Sequence, residues 1–360
     1  SMDLVSWTNV AAFDVSKTKG SFRFPPCTAL FVAFRFPKAR EPWSNAHTAK
    51  NQNAHHRIKI MSILIDKKTR VLIQGITGNE GARACREMLS YGTRVLAGVT
   101  PGKGGRIIEG VPVYDSIREA ILRHPGINTS LITVPALFVR DAAAEAIANK
   151  ISLVNILTEH VTVRDSAWII ARARACGVRV VGPSSVGIIS PGKAKIGSIG
   201  SSAVEKKIFS PGHVGIISKS GGMTSEIGIL LTRAGIGQST AVGIGGDQII
   251  GSDFVDLLVL FERDRATKAV VLFGEVGGTY EEEAAHLVSQ RKCTKPVVAI
   301  IAGYFTKDLA PTTVLGHAGA IVSRGRGGYH SKVSALKKAG VHVVSTLEDI
   351  PRILKVILRL

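Results

Sequence analysis

The stretch Val71-Leu72-Ile73-Gln74-Gly75-Ile76-Thr77-Gly78-Asn79-Glu80-Gly81 decides the fold of the first half of the chain. An apolar run ends in a glycine-rich turn, and a helix-like segment follows as far as Tyr91. A GxxGxxG loop between a strand and a helix allows a tight turn and directs free N–H groups at a phosphate. The stretch therefore predicts the first βα unit of a nucleotide-binding domain, with a purely structural βα turn as the alternative.

The rest of the chain from Met61 onward alternates short apolar runs with helix-like segments. Apolar runs occupy 71–73, 95–99, 131–134, 153–157 and 178–181, and polar, alanine-rich segments lie near 115–123, 139–149 and 164–176. After a Pro/Gly-rich segment, 182–197, the runs resume at 214–217, 239–242, 269–273, 297–301 and 341–344. Strands interleaved with helices predict βαβ units and parallel sheets. We therefore expect an α/β protein of two doubly wound domains, 61–186 and 187–360.

The ligand of the first loop is indicated by the turn after the second apolar run. NAD-binding domains usually carry Asp or Glu at this point, where it holds the ribose hydroxyls. This chain has Thr100-Pro101-Gly102-Lys103-Gly104-Gly105 instead. A lysine in a glycine-rich turn suits an additional phosphate, so coenzyme A, with its 3′-phosphate, fits better than NAD.

A second loop of the same kind opens the second half. Ser218-Lys219-Ser220-Gly221-Gly222-Met223-Thr224 follows a predicted strand and precedes a predicted helix, so its amides and hydroxyls would form an anion site. Gly243-Ile244-Gly245-Gly246-Asp247 follows the next strand. In open α/β sheets ligands gather outside the carboxyl ends of the strands, so we expect these loops to meet.

A histidine and a carboxylate, each with small residues on both sides, are expected to lie near these loops. The histidine lies in Gly316-His317-Ala318-Gly319-Ala320-Ile321, and the carboxylate lies in Gly274-Glu275-Val276-Gly277-Gly278. Small neighbours let a bulky anion approach the imidazole, and a carboxylate aimed at the ring would hold its tautomer and favour the imidazolium. This pattern suits a histidine that carries a phosphoryl group covalently; an ordinary core or surface histidine is the alternative.

Composition limits the remaining possibilities. A chain of 360 residues exceeds a typical domain, and 45% hydrophobic with 20% charged residues is typical of globular proteins. The net charge of +19 is scattered rather than gathered in basic runs, and no apolar run reaches the ~20 residues of a membrane span, so we expect neither a nucleic-acid nor a membrane partner. The distant cysteines, Cys27, Cys85, Cys176 and Cys293, indicate no metal site and no disulfide framework, which favours a reducing compartment.

The acid-poor segment 1–60 lacks helical or strand periodicity. We expect it to be a disordered N-terminal extension with no part in the chemistry. A cytoplasmic location is expected, or the mitochondrial matrix if this segment is a presequence.

Together the motifs resemble, in order and spacing, those of the α subunit of succinyl-CoA synthetase, or succinate–CoA ligase, from Met61 to the end of the chain. The resemblance implies an N-terminal Rossmann-like CoA-binding domain followed by a flavodoxin-like, doubly wound ligase domain. It also implies a β subunit of ATP-grasp fold, in an αβ or α2β2 assembly, that binds ATP or GTP with Mg²⁺. The activity it implies is an acid–thiol ligase of the tricarboxylic acid cycle that uses coenzyme A as a substrate.

The resemblance also implies roles for individual residues. The residues matching the CoA site are Thr77, Gly78, Asn79, Glu80, Lys103, Leu157, Thr158 and Glu159. His317 matches the phosphorylated histidine and Glu275 the carboxylate that orients it. Ser218, Ser220, Gly221 and Gly222 belong to the loop that receives the phosphoryl group, and Ser225 stands in the acid-substrate region.

The chain departs from the family where the acid is recognised. Ser225 replaces a tyrosine, Ser184-Ser185-Val186 replaces Asn-Cys-Pro, and the segment 304–315 is longer than usual. The dicarboxylate is therefore open, with succinate as the default and a malate–CoA or citrate-type ligase subunit as alternatives. A non-catalytic CoA-binding regulatory module is a further alternative, and an NAD-dependent dehydrogenase is the least favoured.

Overall fold

The computed structural model describes residues 62–200, 208–308, 317, 319 and 327–360. The extension 1–60, predicted to be disordered, lies outside these residues. None of the helices in the described ranges combines the length and apolar character needed to cross a bilayer.

The first sheet lies within residues 62–200. Its strands are β1 (Arg70–Gln74), β2 (Arg94–Val99), β3 (Ile107–Ile108), β4 (Val111–Tyr114), β5 (Thr129–Ile132), β6 (Leu153–Ile156) and β7 (Arg179–Val181). Its helices are α1 (Asn79–Tyr91), α2 (Ile117–Arg123), α3 (Val139–Ala148) and α4 (Val163–Ala175), with a 3₁₀ turn at Ala136–Phe138. The strand order is β3-β4-β2-β1-β5-β6-β7, and all pairs except β3–β4 are parallel. From β4 to β7 this is the Rossmann order, so that prediction is confirmed.

The second sheet is formed by strands that lie from residue 187 onward. Its strands are β8 (Gly187–Ser190), β9 (Ala194–Gly197), β10 (Pro211–Ser218), β11 (Gln238–Gly243), β12 (Ala269–Glu275), β13 (Val297–Ala302) and β14 (His342–Val344). Its helices are α5 (Gly221–Arg233), α6 (Phe254–Arg263), α7 (Tyr280–Ser289), α8 (Tyr329–Lys338) and α9 (Asp349–Leu358), with a 3₁₀ turn at Tyr304–Asp308. The order is β14-β13-β12-β10-β11-β8-β9. Strands β10 to β14 are parallel in the flavodoxin-like order, which confirms the second fold prediction.

Two strands extend this sheet beyond its parallel part. Strands β8 and β9 form an antiparallel hairpin, and β8 pairs antiparallel with β11. They lie in the Pro/Gly-rich segment 182–197, for which no strand was predicted. Proline and glycine are depleted in strands, and here they stand at the ends of β8 and β9 and in the turn between them.

The two sheets share a continuous apolar core. Met88 of α1 and Ile196 of β9 belong to the same buried cluster, which also contains Ile73 of β1 and Ile217 of β10. The helix α1 therefore packs both on its own sheet and on strand β9 of the second one.

Candidate functional site

The first glycine loop is shaped by close backbone approaches. Gly75 has a φ of +85°, and a Cβ added at Gly81 would lie 2.3 Å from the Gly75 carbonyl oxygen. Only glycine therefore lets α1 begin so close to the end of β1. Gly78 is the N-cap of α1 and provides no side-chain cap, so N–H groups of the first turn are left for another acceptor. A helix start of this kind attracts a phosphate.

Lys103 lies beside this loop, as the sequence predicts. Its Nζ donates to Thr77 Oγ1 at 3.3 Å, and Thr77 Oγ1 donates to Thr100 Oγ1 at 3.2 Å. Lys103 is exposed, so its ammonium is available to a phosphate bound at the loop. On the opposite wall, Thr158 Oγ1 donates to the Val134 carbonyl at 2.7 Å, which fixes the segment between Leu157 and Glu159.

The second glycine loop leads from β10 into α5. Ser218 is buried, and its hydroxyl donates to the Ser220 carbonyl at 2.8 Å and accepts from the Ser220 N–H at 3.1 Å. Ser220 is the N-cap of α5, and its hydroxyl accepts from the Met223 N–H. A Cβ added at Gly222 would meet nothing within 4 Å. Ser218 therefore shapes the loop. Gly222 presents an open backbone edge at a helix N-terminus, whereas a Cβ at Gly221 would lie 3.0 Å from Val186 Cβ.

His317 and Glu275 form the centre of the second site. Glu275 ends β12, and its Oε2 lies 2.7 Å from His317 Nδ1, with 13% of the Glu275 and 42% of the His317 side chain exposed. This hydrogen bond raises the pKa of His317, against the opposing effects of partial burial and of the Lys219 charge. With Nδ1 held by the carboxylate, Nε2 is the ring nitrogen available to a reactant.

The histidine is also held from the side of β11. The Gly319 N–H donates to the Gly246 carbonyl at 2.9 Å. A Cβ at Gly246 would lie 2.5 Å from His317 Nδ1, so a larger residue there would displace the ring. The glycine-rich loop after β11 is thus required for the close approach of His317.

One cleft of about 1740 Å³ joins the two sites. The predicted site residues that line it are Thr77, Gly78, Asn79, Glu80, Lys103, Leu157, Thr158, Glu159, Ser220, Gly221, Gly222 and His317. Glu275 does not line the cleft and reaches it through His317. Ser218 and the half-buried Ser225 do not line it either. The structure therefore does not place Ser225 where it could contact an acid substrate bound in this cleft. Ser184 and Ser185 do line it.

Several residues that line the cleft were not among the predicted site residues, and Lys219, Asp247 and Arg83 are three charged examples. Lys219 and Asp247 stand inside the quoted loops, so only their roles were missed. Ser184 Oγ donates to Asp247 Oδ1 at 2.8 Å, while burial raises the pKa of Asp247. Arg83 contacts Glu80 at 2.6 Å, and in the sequence such an i, i+3 pair is typical of a solvated helix face. Among the residues that the structure describes, no group of three or more His, Cys, Asp or Glu side chains is arranged to hold a metal ion.

Comparisons with known proteins show the family to which the chain is similar. Residues 66–160 match the CoA binding domain family, and residues 217–348 match the CoA-ligase family. Over 298 residues the chain is 47% identical to the succinate–CoA ligase (ADP-forming) subunit alpha 2 of Archaeoglobus fulgidus, covering 83% of this chain and 100% of that one. The chain belongs to the succinate–CoA ligase α-subunit family.

A second curated relative and a solved structure are also similar to the chain. The succinate–CoA ligase (ADP-forming) subunit alpha of Methanothermobacter thermautotrophicus is 49% identical over 282 residues, which are 78% of this chain and 92% of that one. Among solved structures, the ATP citrate lyase of Methanothrix soehngenii in complex with citrate and coenzyme A has a TM-score of 0.77 and 27% identity, over 82% of this chain. The chain spans about half, 50%, of the length of that lyase. The resemblance drawn from the motifs is therefore confirmed at the level of the succinate–CoA ligase α-subunit family.

Proposed function

We propose that this chain is the α subunit of an NDP-forming succinate–CoA ligase, which relays a phosphoryl group through His317. The observation that carries this proposal is that one cleft is lined both by His317, whose ring is bonded to Glu275, and by the loop of the CoA binding domain. A phosphohistidine formed there would lie in the same space as the thiol that finally receives the acyl group. Proximity of this kind turns a multi-step transfer between molecules into steps within one site.

The proposed reaction has three steps. His317 Nε2 attacks the terminal phosphorus of a nucleoside triphosphate, which forms an N–P bond and releases the diphosphate. A carboxylate oxygen of succinate then takes the phosphoryl group, which frees His317 and gives an acyl phosphate. The CoA sulfur attacks the acyl carbon, with loss of the thiol proton, and releases inorganic phosphate together with the thioester. Each step exchanges one activated group for another, so the sequence is reversible.

The described residues divide this work between the two walls of the cleft. The start of α1, Lys103 and the segment 157–159 would hold the phosphates and body of coenzyme A. The start of α5, with Ser220 as its N-cap, would hold the phosphoryl group during transfer. Glu275 would keep Nδ1 engaged so that Nε2 remains the reacting nitrogen.

A β partner belongs to this proposed function. The name "subunit alpha" of the relatives supports it, and the family resemblance supports an ATP-grasp fold that binds ATP or GTP with Mg²⁺, in an αβ or α2β2 assembly. We also propose 61–186 as the CoA-binding domain and 187–360 as the ligase domain, since β7 belongs to the first sheet and β8 to the second. The bacterial and archaeal origin of the relatives supports a cytoplasmic location.

A citrate-type ligase is the second candidate. It is favoured by the likeness to an ATP citrate lyase solved with citrate and coenzyme A. Ser184, Ser185 and Val186 line the cleft and differ from the usual family pattern, so this segment would be the one to admit a larger acid. The higher identity to succinate–CoA ligases, 47% against 27%, favours succinate.

The test is thioester formation by the complex of this chain with its β subunit. The purified complex is given coenzyme A, ATP or GTP with Mg²⁺, and succinate, malate or citrate in separate reactions, and acyl-CoA is measured by mass spectrometry. Succinyl-CoA formation that is lost in His317→Asn is the expected result. If citryl-CoA or malyl-CoA were the main product, citrate or malate rather than succinate would be the substrate. Coenzyme A binding without any thioester would favour the non-catalytic module.

A further inference from the structure

A buried group of charges lies directly beneath the turn that carries Glu275. Glu281, near the start of α7, has only 1% of its side chain exposed. Its Oε1 lies 2.9 Å from Lys219 Nζ, and its Oε2 contacts Lys332 Nζ. Both lysines are buried, with 5% and 0% of their side chains exposed. Buried charges are expensive unless each one is paired, and apolar residues would often fill the same space as stably.

This group of charges fastens both ends of the Glu275 turn. The Glu275 N–H donates to Glu281 Oε1 at 3.1 Å. Two residues further on, the Gly277 carbonyl accepts from Lys332 Nζ at 2.9 Å and from Lys219 Nζ at 3.4 Å. The turn is therefore held at a donor and at an acceptor by side chains from two helices and from the loop after β10.

The glycine before Glu275 is explained by the same arrangement. A Cβ at Gly274 would lie 2.7 Å from both Cγ and Oε1 of Glu281. Any larger residue would push the Glu281 carboxylate away from the Glu275 N–H. Gly274 thus leaves room for the Glu281 carboxylate beside the backbone of Glu275.

We propose that Glu281 is a positioning residue of the relay: its carboxylate fixes the backbone at Glu275 and so sets the hydrogen bond between Glu275 and His317. The effect on phosphorylation rests on the proposed function, whereas the effect on the geometry of His317 does not. Because Lys219 lines the cleft, the same carboxylate also holds a cation on the wall beside the histidine. Glu281 itself does not line the cleft and acts through its neighbours.

The variants separate the hydrogen-bond acceptor from the charge. Glu281→Leu with Lys332→Met removes one buried carboxylate and one buried ammonium, keeps the volume, and takes away the acceptor of the Glu275 N–H. Glu281→Gln with Lys332→Met removes the same charges but keeps an acceptor oxygen. Gly274→Ala changes no charge and displaces the Glu281 side chain. A matched control is Glu87→Leu with Lys195→Met, since that pair, 3.2 Å apart with Lys195 fully buried, lies between α1 and β9.

Two readouts are used on the full chain after urea unfolding has shown that each variant is folded. The first is the titration of the His317 ring, followed by NMR of histidine-labelled protein and assigned among the ten histidines by the His317→Asn spectrum. It requires neither nucleotide nor a β subunit. The second is the rate at which the complex with the β subunit forms phosphohistidine.

Loss of the acceptor should loosen the bond between His317 and Glu275. In Glu281→Leu/Lys332→Met and in Gly274→Ala, the pKa of His317 should fall toward its ordinary value, and phosphorylation should slow about 10–100-fold, the usual cost of losing a group that orients a reactive one. The Gln-containing variant and the control pair should retain the wild-type titration. Gly274→Ala supplies the decisive comparison if the Leu-containing variant does not fold.

Other outcomes would overturn the assignment. An unchanged His317 titration in both acceptor-free variants would show that Glu281 serves stability alone. Equal losses in the control pair would show a general effect of removing buried charges. A wild-type chain that is never phosphorylated would defeat the proposed function, yet the titration would still decide whether Glu281 positions the Glu275–His317 pair.

Discussion

Glu275 Oε2 lies 2.7 Å from His317 Nδ1, although the two residues are 42 positions apart in the chain. One comes from the carboxyl end of β12 and the other from the segment after β13. The pair therefore lies at the carboxyl ends of parallel strands, where open α/β sheets usually bind their ligands. This contact raises the pKa of His317, and the raised pKa predicts how the rate of phosphorylation depends on pH.

Replacement of Glu275 by glutamine should lower the pKa of His317. The carboxylate favours the imidazolium and raises that pKa, whereas a neutral amide gives a weaker, uncharged hydrogen bond. Attack by Nε2 needs the neutral ring, so phosphorylation in the wild type should rise with pH through a midpoint above the ordinary histidine value. In Glu275→Gln the midpoint should move to lower pH, while the maximal rate falls about 10–100-fold through loss of orientation. Rapid-quench rates across a pH series measure both, and an unshifted midpoint would remove Glu275 from its role.

Lys103→Ala should weaken coenzyme A more than dephospho-CoA. If Lys103 contacts the 3′-phosphate, the loss should be about 1.5–3 kcal/mol for coenzyme A, the range of a charge-assisted hydrogen bond. Calorimetric titration of both ligands measures the difference. Lys338→Ala, at the exposed end of α8, removes the same charge outside the cleft and serves as the control. An equal loss of affinity for both ligands would show that Lys103 contacts a part of coenzyme A other than the 3′-phosphate.

Gly81→Ala should disrupt the first loop, because the added methyl group would lie 2.3 Å from the Gly75 carbonyl oxygen. Forced contacts of this kind usually cost about 1–3 kcal/mol of stability, and here the strain falls on the residues proposed to bind coenzyme A. Gly222→Ala adds the same methyl group where nothing lies within 4 Å and should leave coenzyme A affinity unchanged. Affinity and urea unfolding of the two variants are compared. Equal behaviour would show that the close approach of α1 to β1 is not required.

Asp256→Asn should stabilise the protein at neutral pH. Burial, together with the nearby Asp253 charge, raises the pKa of Asp256 to about 6. Between its ordinary value of about 3.9 and this raised value, the folded state binds more protons than the unfolded state, so stability falls as the pH rises. Above that pH range the ionised Asp256 carboxylate destabilises the folded state to its full extent. Replacing it with asparagine should therefore raise the free energy of unfolding by about 1–3 kcal/mol. Urea unfolding at pH 7.5 should show this gain and at about pH 4 should not; a gain that is independent of pH would contradict the linkage.

Much of the fold could be predicted from periodicity, because buried parallel strands leave continuous apolar runs between helices. The runs at 71–73 and 269–273 fall within β1 and β12. Strands β4 and β8 could not be predicted in this way, since prolines and glycines interrupt or flank them and tertiary pairing decides their conformation.

The candidate site could be predicted only in part. His317 and Glu275 stand out because small residues surround them. Glu281 does not, because it begins a run of three glutamates, which is typical of a solvated helix N-terminus. Its partner Lys332 lies 51 positions away, and no local pattern shows that the two are buried together. Ser225 was predicted from a family position, and that position lies outside the residues that line the cleft.

The most direct test of the account is the identity of the phosphorylated atom. The complex with the β subunit is incubated with nucleoside triphosphate labelled in its terminal phosphate, and the label on this chain is tested for stability and located by peptide mass spectrometry. The account predicts an acid-labile, alkali-stable label on His317 that is absent from His317→Asn and is discharged by succinate with coenzyme A. An acid-stable label, or a label that persists in His317→Asn, would contradict it.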